Sequence, residues 1–522
     1  MSDAPAALWL HEPLDYWARV QPGGELMVFE GGVTTYREAA TLVDRMAAAL
    51  ARELAPGDRF AILSKNSLEM LALYYAASKA GVVPVPLNFR LTEPELAYIV
   101  ADSGAQLLLA QHQYTPTIDA LAPECPALRG TVAIDGDAPS GWAALADWLG
   151  DSLGDDEVRS RRHDEAMQIY TSGTTGRPKG AVLTQVGLSN MLHQWRICYP
   201  FGQGERLLLS APMYHVGGTY FSYFAISHGG SVYLYADFDA ETVVRDLDEQ
   251  RITFAFLVPA MIQSCLAVSG VEQRRFDDFR LLAYGASPIS EPTLRSALTT
   301  FHCKFVQAFG MTECPNVTYL TDEDHRRALA GEPHLLESTG RAGPGSEIKI
   351  VGESGEELPP GEIGEILSRG PQIMRGYWNL PEATAEALAG GWMHTGDAGL
   401  VDDEGYLYVK DRIKDMIVSG AENVYPREVE SVLITHPAVV DVAVIGIPSE
   451  QWGETVKAFV VLVEPGAATE AELVEYCRGK LAGYKRPRTI DVIDELPRNP
   501  SGKVLKRGLR APYWEGRTRG VS

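Results

Sequence analysis

The sequence predicts an α/β protein: a large N-terminal domain of α/β subdomains plus a smaller strand-rich subdomain, then a small α+β domain at the C-terminus. Three observations predict it. Short apolar runs alternate with helical patterns through residues 14–309. Closely spaced strand patterns follow from residue 347. A mixture of helices and strands then closes the chain over about a hundred residues, enough for a domain of its own. The full 522 residues exceed what one hydrophobic core organises.

The elements follow from apolar spacing, taken in chain order. Residues 36–54 and 67–80 read as helices, and 59–63 and 82–86 as strands. Residues 123–164 are acidic and punctuated by Gly and Pro, and read as a variable surface region. The apolar runs 207–211, 231–235, 253–258, 280–284 and 305–309 have helical stretches between several of them. Strands alternating with helices imply a sheet buried on both faces. The runs 347–351, 364–369 and 406–410 form the strand-rich part. In the last unit, 427–435 and 469–481 read as helices, and 440–447, 456–463 and 489–493 as strands. The charged segment Asp411-Arg-Ile-Lys-Asp415 separates two differently patterned regions, giving domains 1–411 and 412–522.

Composition excludes some functions. A net charge of −23 argues against a general binder of nucleic acid or anionic membrane, since both reward basic surfaces. The six cysteines lack C-x-x-C or metal-ligand spacing, as expected of reduced thiols in a cytoplasmic protein. The N-terminus lacks a charged region followed by an apolar core, and no apolar run approaches the ~20 residues of a membrane helix.

The chemistry is densest in Tyr170-Thr-Ser-Gly-Thr-Thr-Gly-Arg-Pro-Lys-Gly180. Its glycines let the backbone approach a ligand. Its hydroxyls and N–H groups suit phosphate oxygens, and Lys179 supplies a compact positive charge. A plain surface turn would not need so many hydroxyls beside a lysine. The P-loop pattern is absent: Arg177 and Pro178 separate Gly176 from Lys179, and Gly180 follows the lysine. Strand patterns at 167–170 and 180–184 flank the segment, with a helix from about Gln185.

Six further motifs follow in order: Pro212-Met-Tyr-His-Val-Gly-Gly218, Tyr284-Gly-Ala-Ser-Pro288, Gln307-Ala-Phe-Gly-Met-Thr-Glu313, Thr395-Gly-Asp397, Asp411–Asp415 and Pro497-Arg-Asn-Pro-Ser-Gly-Lys503. Together the seven resemble the AMP-forming adenylating enzymes, which include acyl-CoA synthetases, luciferases and peptide-synthetase adenylation domains. The resemblance covers nearly the whole chain and is strongest to fatty-acyl-CoA synthetases.

That resemblance implies a mobile C-terminal domain and a two-step reaction. A carboxylic acid and ATP give acyl-adenylate and pyrophosphate; coenzyme A thiol then gives acyl-CoA and AMP. Two anions must meet in the first step, so catalysis is mainly positioning and charge neutralisation. The implied catalytic residues are Lys503, Lys179, Glu313, His215 and Thr175, with Glu313 on the Mg²⁺ side. Nucleotide contacts are implied for Thr171, Ser172, Gly173, Thr174, Thr175, Gly176, Lys179, Gly285, Ala286, Ser287, Phe309, Gly310, Met311, Thr312, Asp397, Arg412 and Lys503. Phe309 stands where many relatives have Tyr; it keeps a ring face for adenine and loses a hydroxyl.

The implied acyl site is Tyr214, His215, Val216, Gly218, Thr219, Tyr220 and Tyr284, although core packing explains such aromatic residues as economically. Amino-acid-adenylating relatives place Asp at the position of His215, which disfavours an amino acid here. Ser419, Gly420 and Ala421 are implied for the thiol channel, where Ala421 replaces a glycine common in fatty-acyl relatives. Asp411 is the implied hinge. Lys457, Lys485, Arg486 and Arg488 are candidates for coenzyme A phosphates, against the ordinary reading of solvated surface charge. Expected partners are ATP, coenzyme A and a small fatty or aryl acid, without nucleic acid; a homodimer is compatible. Competing readings are transfer to an acyl carrier protein, a luciferase-like oxidase and a non-catalytic nucleotide-binding scaffold.

Overall fold

The computed structural model describes residues 9–150, 164–171, 177–286, 289–419, 422–498 and 504–515. The fold is α/β, as expected. A nine-stranded sheet forms its centre. Six strands run parallel in the order Glu25–Phe29, Ser231–Leu234, Arg206–Leu209, Phe254–Leu257, Leu281–Gly285 and Lys304–Met311. Antiparallel strands close both edges, among them Cys314–Leu320 beside Lys304–Met311. The inner strands are mostly apolar because helices cover both faces; Phe254–Leu257 is buried at every residue.

A five-stranded parallel sheet contains Arg59–Leu63 at the boundaries the sequence gives, with Val83–Leu87 and Leu107–Ala110. Its edge corrects one expectation. Gly130–Ala133 and Ala143–Ala144 are strands of this sheet, within the region read as variable surface. They are too short to show a period, and pairing with a preformed sheet stabilises them.

Helix Tyr36–Glu53 starts at a capping box: Thr35 accepts from the Glu38 N–H while the Glu38 carboxylate accepts from the Thr35 N–H. Helix Leu68–Ala80 stops at Gly81, whose φ of 71° suits glycine. The main core joins these helices to an aromatic group containing Trp195, Tyr199, Phe221, Phe224 and Phe254.

Two antiparallel sheets lead to the C-terminal part. Glu165–Thr171, Lys179–Thr184 and Gly376–Tyr377 form one; Glu347–Val351, Gly364–Arg369, Met393–Val401 and Leu407–Arg412 form the other. Beyond them, Ile417–Ser419, Glu422–Val424, Val439–Ser449, Gly453–Leu462 and Thr489–Val492 make a separate sheet. Helices Pro426–Leu433 and Glu470–Tyr476 cover an apolar cluster of their own there. The second helix is shorter than the expected 469–481, and Gly479 takes a left-handed φ of 79° beyond its end. Among the described residues no helix is long and apolar enough to cross a membrane.

Candidate nucleotide and acyl site

The phosphate segment is a hairpin. Glu165–Thr171 and Lys179–Thr184 pair antiparallel, with Thr171 opposite Lys179 at the tip. Ser172, Gly173, Thr174, Thr175 and Gly176 lie outside the described residues. Thr171 donates its hydroxyl to Glu313 Oε1 at 3.1 Å, and Tyr377 donates to the same oxygen at 2.9 Å. Glu313 is buried directly after the turn residue Thr312. Among the described residues nothing bonds to its Oε2. Lys179 Nζ sits 4.9 Å from the centroid of the Tyr377 ring, a cation–π contact. The hairpin thus gathers a carboxylate, a hydroxyl and an ammonium around one tyrosine.

Tyr377 was not singled out from the sequence. Gly376–Tyr377 pairs with Val182 and Ala181 of the hairpin, a long-range contact with no local signature. The run Gly376-Tyr-Trp378, aromatic between polar stretches, is the available signal. Burial first, and then Glu313, push its phenol well above the usual tyrosine range; Arg412 opposes this.

Asp397 and Arg412 face each other across Met393–Val401 and Leu407–Arg412. Arg412 Nε lies 2.7 Å from Asp397 Oδ1, and an Arg guanidinium also donates to the Thr395 carbonyl at 3.3 Å. The Asp397 N–H donates to the Thr395 hydroxyl at 3.1 Å. A buried carboxylate fixed by its own strand suits two adjacent hydroxyls of a sugar.

Gly285 ends Leu281–Gly285 beside Ala308. A Cβ on Gly285 would lie 2.4 Å from the Ala308 carbonyl oxygen, so only glycine fits. Ala286 takes φ 66°, the strained left-handed region that gathers at functional sites; Ser287 lies outside the described residues. Phe309, Gly310 and Met311 finish the neighbouring strand, where a Cβ on Gly310 would strike the Asn316 backbone nitrogen at 2.3 Å.

Tyr214, His215 and Val216 lead into helix Val216–Ser227. Tyr214 is buried edge-on to Phe89, with ring centroids 5.3 Å apart. His215 is half-buried, with Nε2 inaccessible and unpartnered. Burial, with Arg90 adding, lowers its pKa to about 4, so the imidazole is neutral near pH 7. Gly218 fits because a Cβ would meet the Pro212 carbonyl oxygen at 2.3 Å. Thr219 donates to the Met213 carbonyl, and Tyr220 is buried. Tyr284 does not join them. It lies in another cluster with Phe305, and its hydroxyl is 2.9 Å from His325 Nε2.

The segment read as a hinge is extended at first: Asp411 and Arg412 end Leu407–Arg412, and Ile413–Asp415 forms a short 3-10 turn. Asp411 accepts from the Arg427 N–H at 2.9 Å and lies 3.7 Å from Lys506 Nζ. Lys506 pairs with Glu430 at 2.8 Å, and Arg510 pairs with Asp415. Burial pulls Lys506 down, but Glu430 and Asp411 outweigh it and hold its ammonium charged. Ser419 is buried in Ile417–Ser419; Gly420, Ala421 and Lys503 lie outside the described residues. Arg498 and Val504 form an antiparallel bridge. Lys457 pairs with Asp491 at 2.7 Å and Lys485 with Glu428 at 2.8 Å, so both have carboxylate partners within the small unit.

A model of the AMP-binding enzyme family matches residues 14–378, and one of the AMP-binding enzyme C-terminal domain matches 428–503. The chain belongs to the AMP-binding enzyme family. This family member is 36% identical to the fatty acid–[acyl-carrier-protein] ligase ScoC of Streptomyces coeruleorubidus, with 99% of each chain covered. It is 38% identical to a feruloyl-CoA synthase of an Amycolatopsis species, covering 95% of this chain and 97% of that one. The structure of ATP-bound MatB from Rhodopseudomonas palustris superposes with a TM-score of 0.86 at 31% identity, over 96% of this chain and 99% of that one.

Proposed function

We infer that this AMP-binding enzyme is an acid–thiol ligase that joins a carboxylic acid to coenzyme A through an acyl-adenylate. The observation that carries it is the convergence of Thr171 and Tyr377 on Glu313, with Lys179 over the Tyr377 ring and the Asp397–Arg412 pair as a second anchor. In the first step a carboxylate oxygen attacks the α-phosphorus of ATP and pyrophosphate leaves. Lys179 and residues 172–176 neutralise the departing pyrophosphate; Asp397 accepts from the ribose hydroxyls. Lys503, from the small domain, draws carboxylate and α-phosphate together. In the second step the thiol sulfur attacks the acyl carbon, loses its proton and expels AMP. Thiol pKa values near ~8.5 leave little thiolate at neutral pH, and the mixed anhydride makes that sufficient.

Glu313 suits magnesium: one buried carboxylate oxygen is without a described partner, and this ion commonly takes one or two carboxylates plus phosphates and water. Bound there, it would share the charge of the phosphates.

Domains 1–411 and 412–522 divide the work, and rotation about Asp411 exchanges Lys503 for the Ser419–Ala421 face between the steps. The free thiols at all six cysteines fit a cytoplasmic enzyme. A fatty or aryl acid is the substrate class; similarity to a fatty-acid ligase and to a feruloyl-CoA synthase supports both. The ScoC similarity, over the whole chain, favours a second reading with a carrier-protein thiol as acceptor.

The test is product analysis with ATP, short, long and aromatic acids, and either coenzyme A or a pantetheinylated carrier protein. Acyl-CoA with AMP supports the first reading and acyl-carrier with AMP the second. ADP with either acceptor, or no acid-dependent product, rejects both.

A further inference from the structure

We propose that Asn66 is a positioning residue of the acyl site: its side-chain amide fixes the turn that carries Tyr214 and His215, and through them the carboxylic acid. This rests on the ligase reading above, and it adds to that site a residue outside all seven motifs.

The chemistry of its partners calls for an amide. Asn66 is 3% exposed. Its Nδ2 donates to the carbonyls of Ala211 and Tyr235, each at 3.0 Å, and its Oδ1 accepts from the Met213 N–H at 2.7 Å. The two carbonyls can only accept and the backbone N–H can only donate. A primary amide serves both kinds of partner at once, whereas a carboxylate only accepts. Ala211 and Met213 are buried, so losing Asn66 would strand backbone groups away from water. Stranding a buried group costs more than a typical hydrogen bond contributes.

The bonds converge on the turn before the acyl helix. Met213 is held at both ends of its backbone: Asn66 takes its N–H, while Tyr74 donates to its carbonyl at 2.8 Å and Thr219 donates there too. The next residues are Tyr214 and His215. The His215 N–H in turn donates to the Pro212 carbonyl at 3.2 Å. Ala211, Pro212 and Met213 therefore have few ways to move while Asn66 is in place.

The position of Asn66 explains why one side chain does this. It follows strand Arg59–Leu63 of the five-stranded sheet. Ala211 and Tyr235 follow the parallel neighbours Arg206–Leu209 and Ser231–Leu234 of the nine-stranded sheet. The carboxyl ends of strands from two sheets thus meet at this amide, and ligands of α/β sheets bind outside such ends. Beside it, Lys65 reaches Asp237 at 2.6 Å across the same seam. Glu313, Asp397 and Lys179 lie on other elements and none bonds to Asn66, so the effect belongs to the acid rather than to ATP.

The test is acid-dependent ATP–pyrophosphate exchange, with whichever acid of the panel above the wild type uses best. Asn66→Asp keeps the shape and the acceptor for Met213 but removes both donors; Asn66→Ala removes all three bonds. Each should raise the KM for the acid roughly tenfold or more while the KM for ATP stays within about twofold. Tyr36→Phe is the control for a merely structural loss: it removes a buried bond, 2.7 Å to the Gly230 carbonyl, at the opposite end of Ser231–Leu234, and should leave the acid KM unchanged. Thermal unfolding checks folding, and Asn66→Ser replaces a variant that does not fold. An unchanged acid KM in Asn66→Asp, a parallel rise in both KM values, an equal rise in Tyr36→Phe, or failure of all three Asn66 variants to fold overturns the inference and leaves the ligase reading intact. Absence of AMP from the wild type with every acid overturns both.

Discussion

Two residues carry the sharpest consequences. In the proposed mechanism Lys503 brings positive charge to two anions that must meet, and a charge pair at ~4 Å and effective dielectric ~20 is worth about 4 kcal/mol before solvation costs. Lys503→Ala should nearly abolish acid-dependent ATP–pyrophosphate exchange while thioester formation from supplied acyl-adenylate partly survives; wild-type exchange in the variant would remove Lys503 from its role. His215 links the helix start at Val216 to pH. An unfolded imidazole titrates near ~6.5, whereas burial lowers the folded group to about 4. Between those values the unfolded chain binds the extra proton, so this contribution to stability is full above pH ~6.5 and is lost as pH falls towards 4. Denaturant unfolding at pH 7 and pH 4.5 should show the wild type losing roughly 2 kcal/mol more than His215→Phe. Equal losses would show that His215 is not held neutral.

At the scale of elements, the close approach of two strands fixes the floor of the site. Gly285 sits opposite Ala308 in parallel register, and a Cβ would fall 2.4 Å from the Ala308 oxygen. Gly285→Ala must push Leu281–Gly285 and Lys304–Met311 apart, at a cost of about 1–3 kcal/mol. A lower melting temperature together with weakened ATP binding is expected; an unchanged melting temperature would contradict the packing. Much at this scale was legible in advance. Arg59–Leu63, Glu347–Val351 and Gly364–Arg369 fall at their expected boundaries, because short apolar patterns, continuous in the first and alternating or brief in the others, lie between turn residues. The loop hairpin was legible too, since Gly, Pro and hydroxyl residues interrupt two apolar runs. Gly130–Ala133 was not, because four residues show no period and pairing supplies the order. Tyr377 escaped for a related reason: its role exists only once residue 377 meets residue 313. Tyr284 shows the converse. Its motif suggested the acyl site, but strand alternation turns its side chain to the other face from Ala283.

Across the whole molecule, Asp411, the proposed hinge, and its neighbour Arg412 are held from opposite sides. Arg412 is fixed to Asp397, while Asp411 is gripped by Arg427 and Lys506. Lys506 also neutralises buried Glu430, so it ties Asp411 to the small domain's helices. Lys506→Met would leave carboxylates buried without a counter-charge, which typically costs about 3–5 kcal/mol. Both half-reactions should fall by roughly tenfold or more, while binding of a fluorescent ATP analogue to the large domain persists and Lys506→Arg recovers much of the turnover. Full turnover in Lys506→Met would show that Asp411 is held otherwise.

The central claim is that the acid's own oxygen attacks the α-phosphorus. Its most direct test follows that oxygen: the enzyme turns over an acid labelled with ¹⁸O in its carboxylate, with ATP and coenzyme A, and the nucleotide product is weighed by mass spectrometry. The account predicts AMP carrying one ¹⁸O atom from the acid. Unlabelled AMP, or ADP with the label in inorganic phosphate, would contradict it.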